Sequence, residues 1–160
     1  MEKSPTDQQK ALVDEALFLR GRIIASYSQV EFILADFAVK VGLRFPYRIH
    51  DRIKAAKRIA ENDGYEPYKA DLERLCDQLL VYDEIRHFMA HGFLRLDTDK
   101  AGNHRFEFLR YEREGEGKHR LMQGRTEVQR LRDAADDITR YCEEVFALFI
   151  RIYREKGIEK

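Results

Sequence analysis

The sequence predicts a mainly α-helical protein: an up-and-down bundle of about four long helices, with a small antiparallel β-meander inserted before the last helix. Apolar residues recur every three to four positions over long stretches, as they do on the buried side of a helix. Only between residues 93 and 123 does the spacing change to every second residue, which indicates half-buried strands. The connections are short and no interdomain linker is recognisable, so residues 1–160 are predicted to form a single domain.

The first predicted helix begins near the N-terminus and is the longest. Ser4 is the expected N-cap, because a serine followed by Pro5 and an acidic residue is a common helix start. Gly42 is expected to end the helix. The stripe expected to face the core consists of Leu12, Ala16, Leu19, Ile23, Tyr27, Val30, Leu34, Phe37 and Val41.

Two shorter helices are predicted before the meander. One extends from about Tyr47 to Glu61, where Asn62-Asp63-Gly64 stops it. The next opens at Pro67 and ends before Gly92. Their apolar sides carry Ile49, Ile53, Ala56 and Ala60, and then Tyr68, Leu72, Leu75, Leu79, Tyr82, Ile85 and Met89.

The meander is predicted from the alternation around Leu94, Leu96, Phe106 and Phe108, with turns at 98–103 and 114–118. Thr126-Glu127-Val128-Gln129 has the pattern of a capping box and is expected to start the last helix. The apolar seam of that helix suits either the core of the bundle or a partner helix. It consists of Val128, Leu131, Ala135, Ile138, Cys142, Val145, Phe149 and Ile152.

The composition limits the classes of function. Lys and Arg total 29, as do Asp and Glu, so net charge provides no general attraction to a polyanion and any nucleic-acid surface has to be local. Cys76 and Cys142 form no paired motif, which favours buried thiols in a reducing compartment. We find neither the apolar core of a signal peptide nor an apolar stretch long enough for a bilayer. We therefore expect a cytoplasmic protein without a membrane partner.

Arg86, His87 and His91 lie within six residues of one another near the end of the third predicted helix. Arginine binds phosphate oxygens bidentately, and imidazole exchanges protons near neutral pH. These groups suit metal-free RNA cleavage, in which the 2′-hydroxyl of the RNA attacks the adjacent phosphate. Arg86 and His91 point about 140° apart on an ideal helix unless the helix unwinds at its end, which the following glycine would allow. A structural role is the alternative, in which Arg86 pairs with Asp83 or Glu84 and His91 caps the helix end.

The segment Arg86-His87-Phe88-Met89-Ala90-His91-Gly92 resembles the Arg-polar-x-x-x-His motif of HEPN domains, with His87 at the polar position. The resemblance implies a HEPN-like helical bundle that acts as a homodimeric, metal-independent endoribonuclease with two motifs in one cleft. Arg86, His87 and His91 would be catalytic, with His91 transferring a proton, and no cofactor or metal is expected. A toxin or phage-defence role, with an antitoxin or regulator as partner, is also implied.

Phe93 distinguishes the chain from one branch of that family. HEPN toxins paired with nucleotidyltransferase antitoxins often carry a tyrosine two residues after the motif histidine. Phe93 stands at this position and has no hydroxyl to accept a nucleotide. Ser26-Tyr27-Ser28-Gln29-Val30-Glu31 in the first helix is also similar to HEPN sequences, and Glu31 is expected to support the site.

The second predicted helix has the strongest local positive charge, with Asp51 as the one opposing acid before Glu61. A basic stripe of this kind can follow a phosphate backbone. The same residues also suit a solvated face that is balanced by acids on neighbouring helices. The predicted RNA-binding residues are Arg44, Arg48, Arg52, Lys54, Lys57 and Arg58.

Two alternatives to RNA cleavage are consistent with the sequence: a metal site and a non-catalytic binding module. Glu84, His87 and His91 can share one helix face and bind a metal, with Asp83 or Glu31 as additional ligands. A non-catalytic module could instead use the bundle to bind a partner protein or a nucleotide.

Overall fold

A computed structural model of the chain describes residues 4–44 and 48–158. Within these residues, four α-helices and a three-stranded antiparallel sheet are present, so the predicted mainly α-helical class with a sheet before the last helix is confirmed. A 3-10 turn at Glu66–Tyr68 precedes the third helix. The elements are α1 (Asp7–Lys40), α2 (Ile49–Ile59), α3 (Lys69–His91), β1 (Phe93–Thr98), β2 (His104–Gly115), β3 (Lys118–Thr126) and α4 (Val128–Lys156).

The chain divides into two compact units, and α1, α3 and α4 each contribute to both. The first, which we call the sheet unit, comprises Met1–Ile24 and Ile85–Asp137. The second, the helical unit, comprises Ala25–Glu84 and Ile138–Lys160. None of the helices within residues 4–44 and 48–158 has the length and apolar character required to cross a membrane.

The core of the helical unit is built from the predicted apolar stripes. The rings of Phe37 and Phe149 meet edge to face with their centroids 5.2 Å apart. The buried hydroxyl of Tyr141 donates a hydrogen bond to the carbonyl of Leu75 at 2.7 Å. Burial raises the pKa of the free Cys76 thiol to about 11, which keeps it protonated and unreactive at neutral pH. Buried members include Tyr27, Val30, Leu34, Ile53, Ala56, Leu72, Leu79, Ile138, Cys142 and Val145.

The N-terminus of α1 lies further along the chain than predicted. The backbone amide of Gln9 donates to the Thr6 hydroxyl oxygen at 3.2 Å, and the amide of Thr6 donates to the Gln9 side chain at 2.9 Å. This reciprocal pair is a capping box, so Thr6 caps the helix and the assignment of Ser4 was wrong. At the other end, Gly42 has a φ of +72° and follows the last turn, as predicted.

The starts of α2 and α4 also differ from the predictions. Tyr47, where the second helix was expected to begin, lies outside the described residues, and the helix is observed from Ile49. The predicted capping box at 126–129 does not form, because Thr126 pairs with Phe106 at the end of β3. The amide of Leu131 accordingly donates to the carbonyl of Glu127 in the first turn of α4.

The three strands form the predicted meander in the order β1-β2-β3, although β3 extends beyond residue 123 to Thr126. Phe106 and Phe108 are buried on one face of the sheet. Glu107 points to the opposite face, yet it is only 1% exposed, and it is the one buried charged residue in the described part of the chain. The alternation of residues predicted the strands, but it did not predict the burial of this carboxylate.

Candidate functional site

The final turns of α3 carry the motif, and they remain helical. The amide of Gly92 donates to the carbonyl of Phe88 at 2.8 Å, which is the next bond of the α-helical series. The end of α3 therefore does not unwind, and the alternative that the glycine allowed is not observed. A Cβ atom at Gly92 would lie 2.5 Å from the Phe88 carbonyl oxygen. Glycine at this position allows the chain to pass from α3 into β1 within one residue.

The structure brings His87 and His91 together on one exposed side of α3. They are four positions apart, and their ring centroids are separated by 4.8 Å. Two adjacent imidazoles can supply both a proton acceptor and a proton donor. Arg86 is half-buried, with its Nε atom fully buried. On the unbroken helix Arg86 points about 140° away from His91.

Two arginines that are distant from the motif in sequence contact its residues in the structure. The Arg20 guanidinium donates to the carbonyl of Ala90 at 3.4 Å, at the C-terminal end of α3, where a cation is favourable. The Arg110 guanidinium lies 4.3 Å from the ring centroid of Phe88 and pairs with Glu112. These contacts fix the last turn of α3. No local sequence pattern indicates them, because α1 and β2 supply the arginines.

The residues suggested as extra metal ligands have other partners. The carboxylate of Asp83 accepts a hydrogen bond from the Tyr27 hydroxyl at 2.8 Å. Glu31, expected to support the site, forms an ion pair with Arg52 at 3.2 Å in the helical unit. Among the residues that the structure describes, no group of three or more His, Cys, Asp or Glu side chains is arranged to hold a metal ion. Glu84, His87 and His91 therefore do not constitute such a group.

The predicted basic stripe separates into two sets within the helical unit. Arg52 is paired with Glu31, and Lys57 contacts Asp77 at 2.5 Å, a contact that raises the pKa of Lys57. The remaining four cations line a cavity of about 1150 Å³, which we call the basic cleft. The residues that line the basic cleft are Leu43, Arg44, Arg48, Asp51, Lys54, Ala55, Arg58, Ile59, Glu61 and Asn62.

The comparisons with protein-family models, with curated proteins and with solved structures find no match to this chain.

Proposed function

We propose that the chain is a HEPN-like, metal-independent endoribonuclease whose site is formed by Arg86, His87 and His91. The observation that carries the proposal is the exposed His87–His91 pair on the last turns of α3, with ring centroids 4.8 Å apart and Arg86 in the preceding position. Acid and base groups this close can act on the two ends of one phosphodiester. The resemblance of the motif to HEPN domains adds a toxin or phage-defence role to the proposal.

In the proposed mechanism, the 2′-hydroxyl of RNA attacks the adjacent phosphorus, and the bond from phosphorus to the 5′-oxygen breaks. His91 accepts the proton of the 2′-hydroxyl, and His87 donates a proton to the departing 5′-oxygen. Arg86 stabilises the negative charge that develops on the phosphoryl oxygens. Each proton transfer of this kind contributes about 10²–10⁴-fold to the rate. The product ends are a 2′,3′-cyclic phosphate and a 5′-hydroxyl.

The continuous helix favours a site formed by two copies of the chain. Because Arg86 and His91 diverge by about 140° on α3, one helix does not direct both side chains at the same phosphate. In a symmetric homodimer, the arginine of one subunit can face the histidine of its partner. We therefore propose a homodimer with two motifs in a shared cleft.

The central test is cleavage of RNA by the purified protein in the presence of EDTA. We expect cleavage to persist with EDTA and to fall by at least about 10²-fold in His91→Ala. His119→Ala is the matched control, because His119 is an exposed histidine at the tip of the β2–β3 hairpin. Activity that EDTA abolishes would contradict the proposal and indicate a metal. A wild-type protein that binds RNA without cutting it would favour the non-catalytic binding module.

The basic cleft is the proposed path of the RNA backbone, because Arg44, Arg48, Lys54 and Arg58 line one cavity in which they outnumber the two acidic lining residues, Asp51 and Glu61. The test replaces two of these cations at once, through Arg48→Gln with Lys54→Gln. We measure the slope of log Kd for RNA against log salt concentration, and we expect the double variant to reduce this slope by about 1.4. Each lost phosphate contact accounts for roughly 0.7 of the change.

The matched control removes the same number of charges outside the cleft, through Arg52→Gln with Lys57→Gln. These cations already have carboxylate partners, so we expect the salt dependence to stay as in the wild type. Equal effects of the two double variants would mean that overall charge, and not the basic cleft, determines binding.

A further inference from the structure

The outward face of the sheet carries a patch of exposed apolar side chains. Phe93, Tyr111 and Leu121 are 65%, 72% and 49% exposed. Phe93 lies opposite Leu109 in the β1–β2 register, and Tyr111 lies opposite Leu121 in the β2–β3 register. Leu109 and Tyr111 are two residues apart on β2, so they share a face. The four residues, all within the sheet unit, thus form one continuous patch, which we call the platform.

A cross-strand row of charged residues borders the platform on the same face. Arg95 and Arg125 both lie opposite Glu107. Their Nε atoms donate to its carboxylate at 2.6 Å and 2.8 Å, and the Gln123 amide donates at 3.0 Å. Two guanidinium groups share one carboxylate, so the row keeps a net positive charge. More than half of each arginine side chain is exposed to solvent.

Further positive charge lies beyond this row. Arg105, Arg125 and Arg130 line a shallow cavity of about 210 Å³ together with Thr126 and Glu127. Arg95, Arg105, Arg125 and Arg130 are accompanied here by Asp97, Glu107 and Glu127, so this part of the sheet unit keeps a net positive charge and suits an anion. The sheet unit therefore combines exposed aromatic rings with arginines, although the whole chain has no net charge.

We propose that this face binds single-stranded RNA, with bases stacked on Phe93 and Tyr111 and phosphates held by the neighbouring arginines. The inference rests on the proposed function, and it assigns the β-meander a role in holding the substrate. Aromatic rings stack on bases of any sequence, and arginines provide the charge that complements a phosphate backbone. Only unpaired bases expose their flat faces, so the proposed ligand is a single strand.

The charge of the surroundings favours RNA over an apolar protein partner. A protein that covered the platform would also remove water from Arg95 and Arg125, which carry one more positive charge than Glu107 neutralises. A polyanion instead supplies the missing negative charge. Phe93 stands two residues after His91 in the chain, so a strand stacked on Phe93 lies next to the end of α3.

The test measures binding to a fluorescein-labelled 2′-O-methyl RNA decamer, which has no free 2′-hydroxyl and cannot be cleaved by the proposed mechanism. The second ligand is an abasic phosphodiester strand of the same length. We expect Phe93→Ala and Tyr111→Ala each to weaken binding of the decamer by about 5- to 150-fold, and to leave binding of the abasic strand unchanged. Tyr111→Phe keeps the ring and should retain wild-type affinity.

Phe18→Ala is the matched control, because Phe18 is also 65% exposed but belongs to α1. It should bind both ligands as the wild type does, and thermal unfolding checks that every variant is folded. An equal loss of affinity for both ligands, or no loss for either, would overturn the inference. Sedimentation of Phe93→Ala and Tyr111→Ala provides a further check. If these variants had a different oligomeric mass from the wild type but the same RNA affinity, the platform would join copies of the chain and the inference would be overturned. The binding measurement does not depend on cleavage, so it still tests the platform if the protein does not cut RNA.

Discussion

Glu107 shows how one residue can stabilise the sheet in a way that depends on pH. Its carboxylate accepts hydrogen bonds from Arg95, Arg125 and Gln123. The hydrogen bond from Arg95 is the largest of the causes that hold the pKa of Glu107 below its usual value, and Arg125 adds to it. Because the pKa is lower in the folded chain, the carboxylate stabilises the fold above the unfolded pKa of about 4.3. That stability is lost as the pH falls through the folded pKa.

Glu107→Gln is therefore expected to lower the Tm at pH 7 and to make the Tm fall less steeply between pH 5 and pH 3 than in the wild type. The amide still fills the space, but it cannot form ion pairs with two guanidinium groups. Thermal unfolding monitored by circular dichroism across this pH range measures the difference. Glu116→Gln, in the exposed hairpin turn, should follow the wild-type curve. Parallel curves for Glu107→Gln and the wild type would contradict the proposed role.

The same residue marks a limit of prediction from sequence. The alternation at Phe106 and Phe108 predicted a strand and its buried face, because burial of alternate side chains is a local property. The burial of Glu107 depends on Arg95 and Arg125, which are 12 and 18 residues away in the chain. Similarly, the ion pairs that separate Arg52 and Lys57 from the basic cleft are made with partners 21 and 20 residues away.

The link between α3 and β1 depends on a single glycine. Gly92 is expected to tolerate no side chain, because a Cβ atom there would lie 2.5 Å from a backbone oxygen of α3. Gly92→Ala should reduce the free energy of unfolding by about 1–3 kcal/mol, as in other overpacked sites. Unfolding in urea, followed by circular dichroism, measures the change.

Gly21→Ala is the matched control for this substitution. Gly21 lies within α1, and nothing lies within 4 Å of a Cβ atom built there. Alanine at an open helical position should raise the free energy of unfolding by about 0.5–1 kcal/mol. The two substitutions should therefore change the free energy of unfolding in opposite directions. A change in the same direction would contradict the proposal that contact between a Cβ atom at Gly92 and the Phe88 carbonyl oxygen limits this position to glycine.

The helices themselves were predictable, whereas some of their ends were not. Apolar periodicity extends over many turns, so it identified α1, α3 and α4 despite local errors. A cap depends on one or two residues, and the cap that forms is Thr6, two residues beyond the predicted Ser4. At α4, the strand pairing of Thr126 prevailed over the capping pattern of its local sequence.

For the molecule as a whole, the motif predicted Arg86, His87 and His91 as the site, and the structure shows that His87 and His91 share a side of α3. The sequence did not indicate Arg20 or Arg110, because their contacts with Ala90 and Phe88 depend on tertiary packing. Nor did spacing alone establish whether α3 unwinds. The unbroken helix leaves Arg86 and His91 on different sides, which makes the assembly of two chains central to the proposed activity.

Mixing two inactive variants tests that assembly. Arg86→Ala and His91→Ala homodimers should each cleave RNA at least about 10²-fold more slowly than the wild type. If one subunit supplies the arginine and its partner the histidine, a mixed dimer contains one complete site. After exchange of subunits, the mixture should recover about a quarter of wild-type activity, because half of the dimers are mixed and each has one of two sites intact. No recovery in mixtures with demonstrated exchange would contradict a site shared in this way.

The most direct test of the central claim is the chemical identity of the RNA ends after cleavage in EDTA. If the 2′-hydroxyl is the nucleophile, mass spectrometry should find a 2′,3′-cyclic phosphate on one product and a 5′-hydroxyl on the other. Replacing the attacking 2′-hydroxyl with hydrogen at the cleaved position should abolish cleavage there. A 5′-phosphate with a free 3′-hydroxyl would show that water attacks the phosphorus and would contradict the mechanism assigned to His87 and His91.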